Sequence, residues 1–336
     1  MTSPNAEAAG LAVRRAVREC LVDLDPGDLV LVACSGGADS LALAAATADV
    51  APSLGIRAGA VVVDHGLQPT SDVIADQAAQ HCRRWQLDPV ELVKVKVDLD
   101  FSGIGVEAAA RKARHEAFAN SALHHGAFAV LLAHTLDDQA ETVLIRLTRG
   151  SGARSLSGMA AKQGLLRRPL LELRRDVVRS TVNESLVWED PHNADDAFMR
   201  ARVRHRVLPT MTDALGDSVV LGLARTAESL RTDADALDLW TEQAWAMFAT
   251  EESGSTQLGV DDLVTVPSAI RTRLLLKAAV AAGVPAGSIT RAHVLAMDSF
   301  VDTWHGQGAL SLPGGITANR SGGKIVLSRL DPPGSS

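Results

Sequence analysis

Tyrosine is absent from this chain of 336 residues, and its aromatics stop at six Phe and five Trp. Basic residues are also outnumbered, 33 Lys and Arg against 40 Asp and Glu, for a net charge of −7. Together these argue against a general nucleic-acid binder, which normally shows a basic footprint. There are only three cysteines, Cys20, Cys34 and Cys82, widely spaced and without a C-x-x-C pair. That excludes a disulfide framework and a Cys-rich zinc or iron–sulfur site, and reads as buried thiols in a reducing cytoplasm. No apolar run approaches the ~18 residues that span a bilayer; the longest, 127–133 and 41–46, suit a core strand and a core helix. The charged start (Glu7, Arg14, Arg15, Arg18, Glu19) lacks a signal-peptide core. A cytoplasmic protein with no membrane partner is expected.

What is present is ordinary globular composition, 46% hydrophobic and 22% charged, with length for about two domains. The first 150 residues alternate β-branched apolar runs (29–33, 58–63, 90–97, 127–133) with Ala-rich helical stretches (39–50, 71–85, 106–125, 137–147). Such alternation predicts an α/β fold: a parallel sheet with helices on both faces, binding ligands at the carboxyl ends of its strands. After Gly150 the strand pattern stops. A long helix over 217–250, helices at 269–282 and 290–300, and short strands at 316–320 and 325–330 predict a helical linker followed by a small α+β module. The expected division is a catalytic domain over 1–215, the long helix and C-terminal module over 216–330, and a disordered tail over 331–336.

Charge is unevenly divided. Residues 1–141 hold 11 basic and 19 acidic side chains, residues 142–210 hold 13 and 7, and residues 211–336 hold 9 and 14. One Arg-dominated segment therefore permits docking of a nucleic acid through a local patch even though the whole chain is acidic.

Two segments carry chemistry. Ser35-Gly36-Gly37-Ala38-Asp39-Ser40 follows the first strand and opens a helix. Its glycines allow close backbone approach, and a helix N-terminus offers N–H groups and a positive dipole end to phosphate. Asp39 in such a place either holds a metal ion or caps the helix. It is not a Walker A loop. At the end of the fourth strand, His134 precedes Asp137, Asp138 and Glu141 within one helical turn, a cluster suited to Mg²⁺ or to positioning an amine. Acids there also complement the helix dipole. Arg111 and Arg114 share a helix face, which by spacing alone reads as a solvated face paired with Glu107.

The first motif resembles the pyrophosphate loop of the N-type ATP pyrophosphatases, the PP-loop family with a Rossmann-like domain. Asp64-His65-Gly66-Leu67-Gln68, the 134–142 segment, Leu147-Thr148-Arg149-Gly150-Ser151-Gly152, Arg168-Pro169-Leu170-Leu171 and Glu189-Asp190-Pro191-His192-Asn193 follow in order. Over residues 27–210 the series is similar to the tRNA(Ile)-lysidine synthetases. The resemblance implies ATP-dependent ligation of L-lysine to C2 of cytidine 34 in the CAU anticodon of tRNA(Ile), through an adenylated cytidine, with AMP and pyrophosphate released. It implies ATP and Mg²⁺ as co-substrate and cofactor, free lysine and that tRNA as partners, and leaves a homodimer open. Ser35, Gly36, Gly37, Ala38, Asp39, Ser40 and Asp64 would bind ATP, with Asp39 and Asp138 on the metal. Asp39, Arg114, His134, Asp137, Asp138 and Glu141 would be catalytic, the base being unassigned among the carboxylates and His134. Arg111, Arg202, Arg204 and Arg206 would contact tRNA or phosphate. Two positions depart from the family pattern: Gln68 stands where it has Arg, and Ala201 where it has Asn. Thiolation of a tRNA base by the same loop, or a non-catalytic ATP-binding module, are the rival readings.

Overall fold

The computed structural model describes residues 4–64, 66, 70–95, 106–149, 152–189, 195–252 and 254–329. His65, Gln68, Gly150, Ser151, residues 190–193 and the 331–336 tail lie outside them. The chain divides into two compact units, 1–230 and 231–336.

The first unit opens with α1 (Pro4–Leu21), β1 (Leu29–Ala33), α2 (Ala38–Leu54), β2 (Arg57–Asp64), α3 (Ser71–Arg84) and β3 (Val90–Lys94). It continues through α4 (Val106–His125), β4 (Ala127–Leu131), α5 (Leu136–Leu147) and α6 (Ala153–Leu156). Then come β5 (Lys162–Gln163), β6 (Leu166–Arg167), α7 (Arg175–Arg179), α8 (Met199–Arg202), a π turn (Val203–Val207) and α9 (Leu208–Leu215).

The sheet runs β3-β2-β1-β4-β6-β5, parallel throughout except for β5 against β6. Period-two side chains sort onto its two faces. Val30, Val32, Ala60 and Val62 pack with Val13, Val17 and Leu21 of α1 and with Leu41 and Leu43 of α2. Leu29, Leu31, Val61 and Val130 pack with Phe118 and Ala122 of α4. Strand order reverses between β1 and β4, which opens a crevice at their carboxyl ends. The two chemistry-bearing segments leave from those two ends.

Three features differ from the sequence-based expectation. The N-terminal segment forms α1, whose apolar positions cover one face of the sheet. The sheet does not end at β4: β6 adds to it, two residues too short to show a periodic pattern. The division of the chain falls at residue 230, inside α10 (Ser218–Phe248), not ahead of that helix at 216. Val220 and Ala224 at its start pack with Leu136, Ala140, Val203 and Leu208 of the first unit.

The second unit places β7 (Ala249–Glu252), β8 (Ser255–Gly259), β9 (Leu310–Leu312), β10 (Ile316–Ser321) and β11 (Lys324–Arg329) in an antiparallel sheet ordered β7-β8-β11-β10-β9. Helices α11 (Val260–Thr265), α12 (Ser268–Ala281) and α13 (Arg291–Asp302) share its core through Leu263, Leu274, Leu275 and Met297. Among the described residues, no single helix is long and apolar enough to cross a membrane.

Gly59 of β2 has no room for a side chain. A Cβ there would lie 2.5 Å from Pro89 O and 2.9 Å from Leu31 Cδ2. Backbone cannot yield as a flexible side chain does, so Gly59→Ala is expected to destabilise the unit by about 3 kcal/mol. Urea unfolding should show a lower midpoint at unchanged slope.

Candidate functional site

The segment after β1 is a loop tied to itself. The Ser40 hydroxyl donates to Gly37 O (2.8 Å), accepts from Ser35 N (3.1 Å) and lies 3.2 Å from Ser35 Oγ. Gly36 takes φ +83°, a left-handed conformation that favours glycine, while a Cβ there would make only ordinary contact at 3.6 Å with Ala78 and Ile74 of α3. Gly37 is the N-cap of α2 and provides no side-chain bond to it. The capping role open to Asp39 is therefore not the one it plays: it lies inside the first turn, and its Oδ1 is buried with no partner.

Next to this loop, beyond β4, Thr135 and Asp138 form a capping box at the start of α5. Asp138 Oδ2 accepts from Thr135 N and Oγ1, both at 2.8 Å. Its Oδ1 accepts from three guanidiniums: Arg175 Nη2 at 2.8 Å, and Arg200 Nη2 and Arg204 Nη2 at 3.1 Å. One turn on, the fully buried Glu141 accepts from the same three, Arg204 Nε at 2.7 Å being the shortest. Two carboxylates thus hold three arginines from α7, α8 and the π turn, leaving an excess of one positive charge.

A cavity of about 590 Å³ opens over both segments. Ser35, Gly37, Ala38, Asp39, Ser40, Asp64, Arg111, Arg114, His134, Asp138 and Arg204 of the expected residues line it. Asp64 is buried at the end of β2, where its Oδ1 accepts from Gly66 N. Arg111 and Arg114 reach the cavity from α4; the side chain of Glu107, their suggested partner, lies outside the described residues.

Other expected residues go elsewhere. Asp137 Oδ2 accepts from Arg175 N (2.8 Å) and Arg174 Nε (3.3 Å), so it fastens α7 and does not line the cavity. Glu141 sits beneath the wall as a counter-charge. Arg202 donates to the carbonyls of Asp196 and Ala197, and Arg206 pairs with Asp196; neither reaches the cavity. Ala201, the departure from the family's Asn, is buried on α8. Sequence reasoning missed Arg175, Arg179, His115, Phe118 and Trp188, all on the cavity wall. The Arg174-Arg175 pair within the Arg-rich segment was the one available signal.

Burial sets the electrostatics. It pushes the Asp39 carboxyl up to about 6, with Asp138 adding repulsion and Arg175, its nearest cation at 3.9 Å, opposing. It also pushes His134 down to about 3; Asp138 opposes this, while Arg200 and Arg168 reinforce it. His134 is therefore neutral, and its Nδ1 is buried without a partner. Burial works against the charge of Asp138 too, but Arg175 and Arg200 hold that carboxyl well below the usual range. For a divalent cation, then, Asp39 fits, with an unused oxygen on a carboxyl that is ionised above about pH 6. Asp138 does not fit as it stands, because five donors already occupy its oxygens. No group of three or more His, Cys, Asp or Glu suited to a metal occurs among the described residues.

Comparison with known proteins agrees with this geometry. A PP-loop domain family matches residues 11–211. The tRNA(Ile)-lysidine synthase of Thermobifida fusca (strain YX) is 53% identical over 94% of this chain and 96% of its own length. That of Streptomyces coelicolor is 50% identical over 90% and 86%. The chain belongs to the tRNA(Ile)-lysidine synthase family. Among solved structures, the U34-tRNA thiolase NcsA from Methanococcus maripaludis shares the fold, with TM-score 0.56 and 17% identity over 67% of this chain and 79% of that one.

Two outcomes follow from the charges. The folded chain keeps a proton on Asp39 that the unfolded chain releases from its ordinary value of 3.8. The stability this confers is present below about pH 4 and is lost as pH rises through about 6. Asp39→Asn keeps the neutral state throughout, so it is expected to raise stability at pH 7.5 by about 1–3 kcal/mol. The gain should vanish near pH 4 in melts across that range. Glu141→Gln acts oppositely: three buried guanidiniums lose a counter-charge, and the loss is expected to be about 3–5 kcal/mol by denaturant titration.

Proposed function

We propose that the cavity takes ATP with its phosphates on the Ser35–Ser40 loop and the adenosine toward the end of β2 at Asp64. The anticodon base and the amino acid would enter from the side of His134 and Asp138. The family's reaction is ATP-dependent lysidine formation on tRNA, and the chain is a ligase of that kind. Its substrate here is read as cytidine 34 in the CAU anticodon of tRNA(Ile), with free L-lysine as the amine donor.

In the first step the C2 carbonyl oxygen of the cytosine attacks the α-phosphorus and pyrophosphate leaves. In the second the ε-amine of lysine attacks C2, the C2–O bond breaks, and AMP leaves. The chain's part is mostly electrostatic. The uncapped N-terminus of α2 and the loop N–H groups face the phosphates. Arg114 and Arg111 supply positive charge from α4 to the α-phosphate and the polarised carbonyl. Bound Mg²⁺, held by Asp39 and phosphate oxygens, would offset the charge developing on pyrophosphate. His134, neutral and little basic, suits a hydrogen-bonding role better than proton abstraction.

The observation that carries this reading is the partnerless Asp39 Oδ1 at an uncapped helix start, in one cavity with His134 and Arg114. The test is lysine incorporation. ATP, labelled lysine and a CAU-anticodon tRNA(Ile) transcript should give labelled tRNA, and omitting any one should give none. Arg114→Ala is expected to slow incorporation about 100-fold. Unlabelled tRNA in the complete mixture, with pyrophosphate release absent, would sink the proposal.

A further inference from the structure

The cations of the cavity wall are not equally committed. Arg175, Arg200 and Arg204 are held by Asp138 and Glu141, both buried. Arg179, one turn after Arg175 on the same face of α7, is paired instead with Glu189. That pair faces solvent: the Arg179 side chain is 45% exposed and that of Glu189 64%, against 16% for Arg175. Both residues line the cavity together with Ser35, Gly37, Asp39 and Ser40.

Their backbone is fixed although their side chains are exposed. Val178, next to Arg179, is fully buried in the core that Leu41 and Leu43 of α2 share, and Leu186 and Val187 pack against the same core. Trp188 N–H donates to Gly36 O at 3.0 Å, and Trp188 O comes within 4.0 Å of where a Cβ on Gly37 would stand. Glu189 thus directly follows a backbone bond to the nucleotide loop. Arg179 reaches it from α7, so the ion pair lies beside that loop. It is the Asp39 side of the loop, since Arg175 of the same helix approaches Asp39 to 3.9 Å and the Arg179 charge also favours the Asp39 carboxylate.

We propose that Arg179 binds the β- and γ-phosphates of ATP, and that Glu189 is the carboxylate it gives up to do so. The proposal deepens the reading in which residues 35–40 hold the phosphates, and it rests on that reading. There the adenosine lies toward Asp64 and the α-phosphate toward Arg111 and Arg114, which leaves the outer phosphates for the cation on the Asp39 side. Carboxylate and phosphate both offer a guanidinium two oxygens for its fork of N–H donors. A pair between exposed groups is worth little, so giving it up costs little. A phosphate seated on the N-terminus of α2 carries more charge than a carboxylate and is held in place by N–H groups. Arg175, Arg200 and Arg204 are barred from this exchange, because it would leave buried carboxylates uncompensated. Arg179 therefore counters the charge on the departing pyrophosphate, and Glu189 recovers the guanidinium once pyrophosphate has left.

The experiment measures binding of ATP, AMP and inorganic pyrophosphate to the full chain by calorimetry, with Mg²⁺ present and without tRNA or lysine. In Arg179→Met, affinity for ATP and for pyrophosphate is expected to fall about 10- to 100-fold, with AMP affinity and melting temperature unchanged. Arg179→Lys should recover part of the loss. Glu189→Gln should raise ATP affinity about two- to fivefold without affecting AMP, and should add little when combined with Arg179→Met. In lysine incorporation, KM for ATP should follow these affinities. If Arg179→Met binds ATP as the wild type does, or loses AMP affinity to the same extent, the assignment to the outer phosphates is overturned. A Glu189→Gln gain as large without Arg179 as with it would overturn the exchange. Both outcomes leave the nucleotide reading standing. A wild-type chain that binds neither ATP nor pyrophosphate overturns that reading, and the proposal with it.

Discussion

The arrangement of the first unit depends on one buried charge cluster: Asp138 and Glu141 of α5 gripping Arg175, Arg200 and Arg204. The sheet fixes where α2 and α5 begin, but α7, α8 and the π turn have little apolar surface of their own to hold them in place. Guanidinium–carboxylate bonds do that, with the Asp137–Arg175 N contact adding a backbone anchor. A buried ion network is a poor source of net stability, because desolvation offsets most of the attraction. Its gain here is positional. It places three cations against the end of β4, at the edge of the cavity, in geometry that a hydrophobic cluster of equal volume would not specify.

The cluster also sets the field felt by the nucleotide loop. With three arginines on two acids, the far wall of the cavity is positive, and the N-terminus of α2 points its own positive end inward. Asp39 is the one acid of the loop, and its charge is suppressed by burial more than it is supported by Arg175. A cavity so arranged favours an anion. This is how a chain with net charge −7 carries a site for a triphosphate.

Most of the sheet was legible because its strands are continuously apolar and its helices rich in Ala, so that β1, β2 and β4 announce themselves locally. β6 was not, since a two-residue strand has no period. The motif residues of the site were legible for the same reason: Ser35–Ser40 and His134–Glu141 are contiguous, and each leaves a strand end. Arg175 and Trp188 were not, because what brings them to the cavity is tertiary contact, an ion pair across 34 residues to Glu141 in one case and a Trp188 N–H to Gly36 O bond in the other. The Arg-rich segment misled in an instructive way. Its excess charge reads as a surface patch, but Arg167 is tied to Asp23, Arg146 to the carbonyls of Ser155 and Gly158, and Arg175, Arg200 and Arg204 to buried acids. Charge counted along a chain does not distinguish arginines that face solvent from arginines that hold the interior together.

Asp39 and His134 carry the last step. Burial moves them in opposite directions on the pH scale, up to about 6 for one and down to about 3 for the other, and both shifts favour the neutral form. A desolvated pocket without ligand keeps its own charge low where it can. A triphosphate with its cation reverses this balance at Asp39, since an adjacent positive ion favours the carboxylate. At His134 the charge of Asp138 opposes burial while Arg200 and Arg168 reinforce it, so phosphate brought by the substrate would add to Asp138 and restore basicity. Above about pH 6 Asp39 is ionised before a nucleotide binds, and the cation would then support a charge that the free pocket carries at a cost. Between turnovers a neutral His134 costs the fold less than a permanently charged group would.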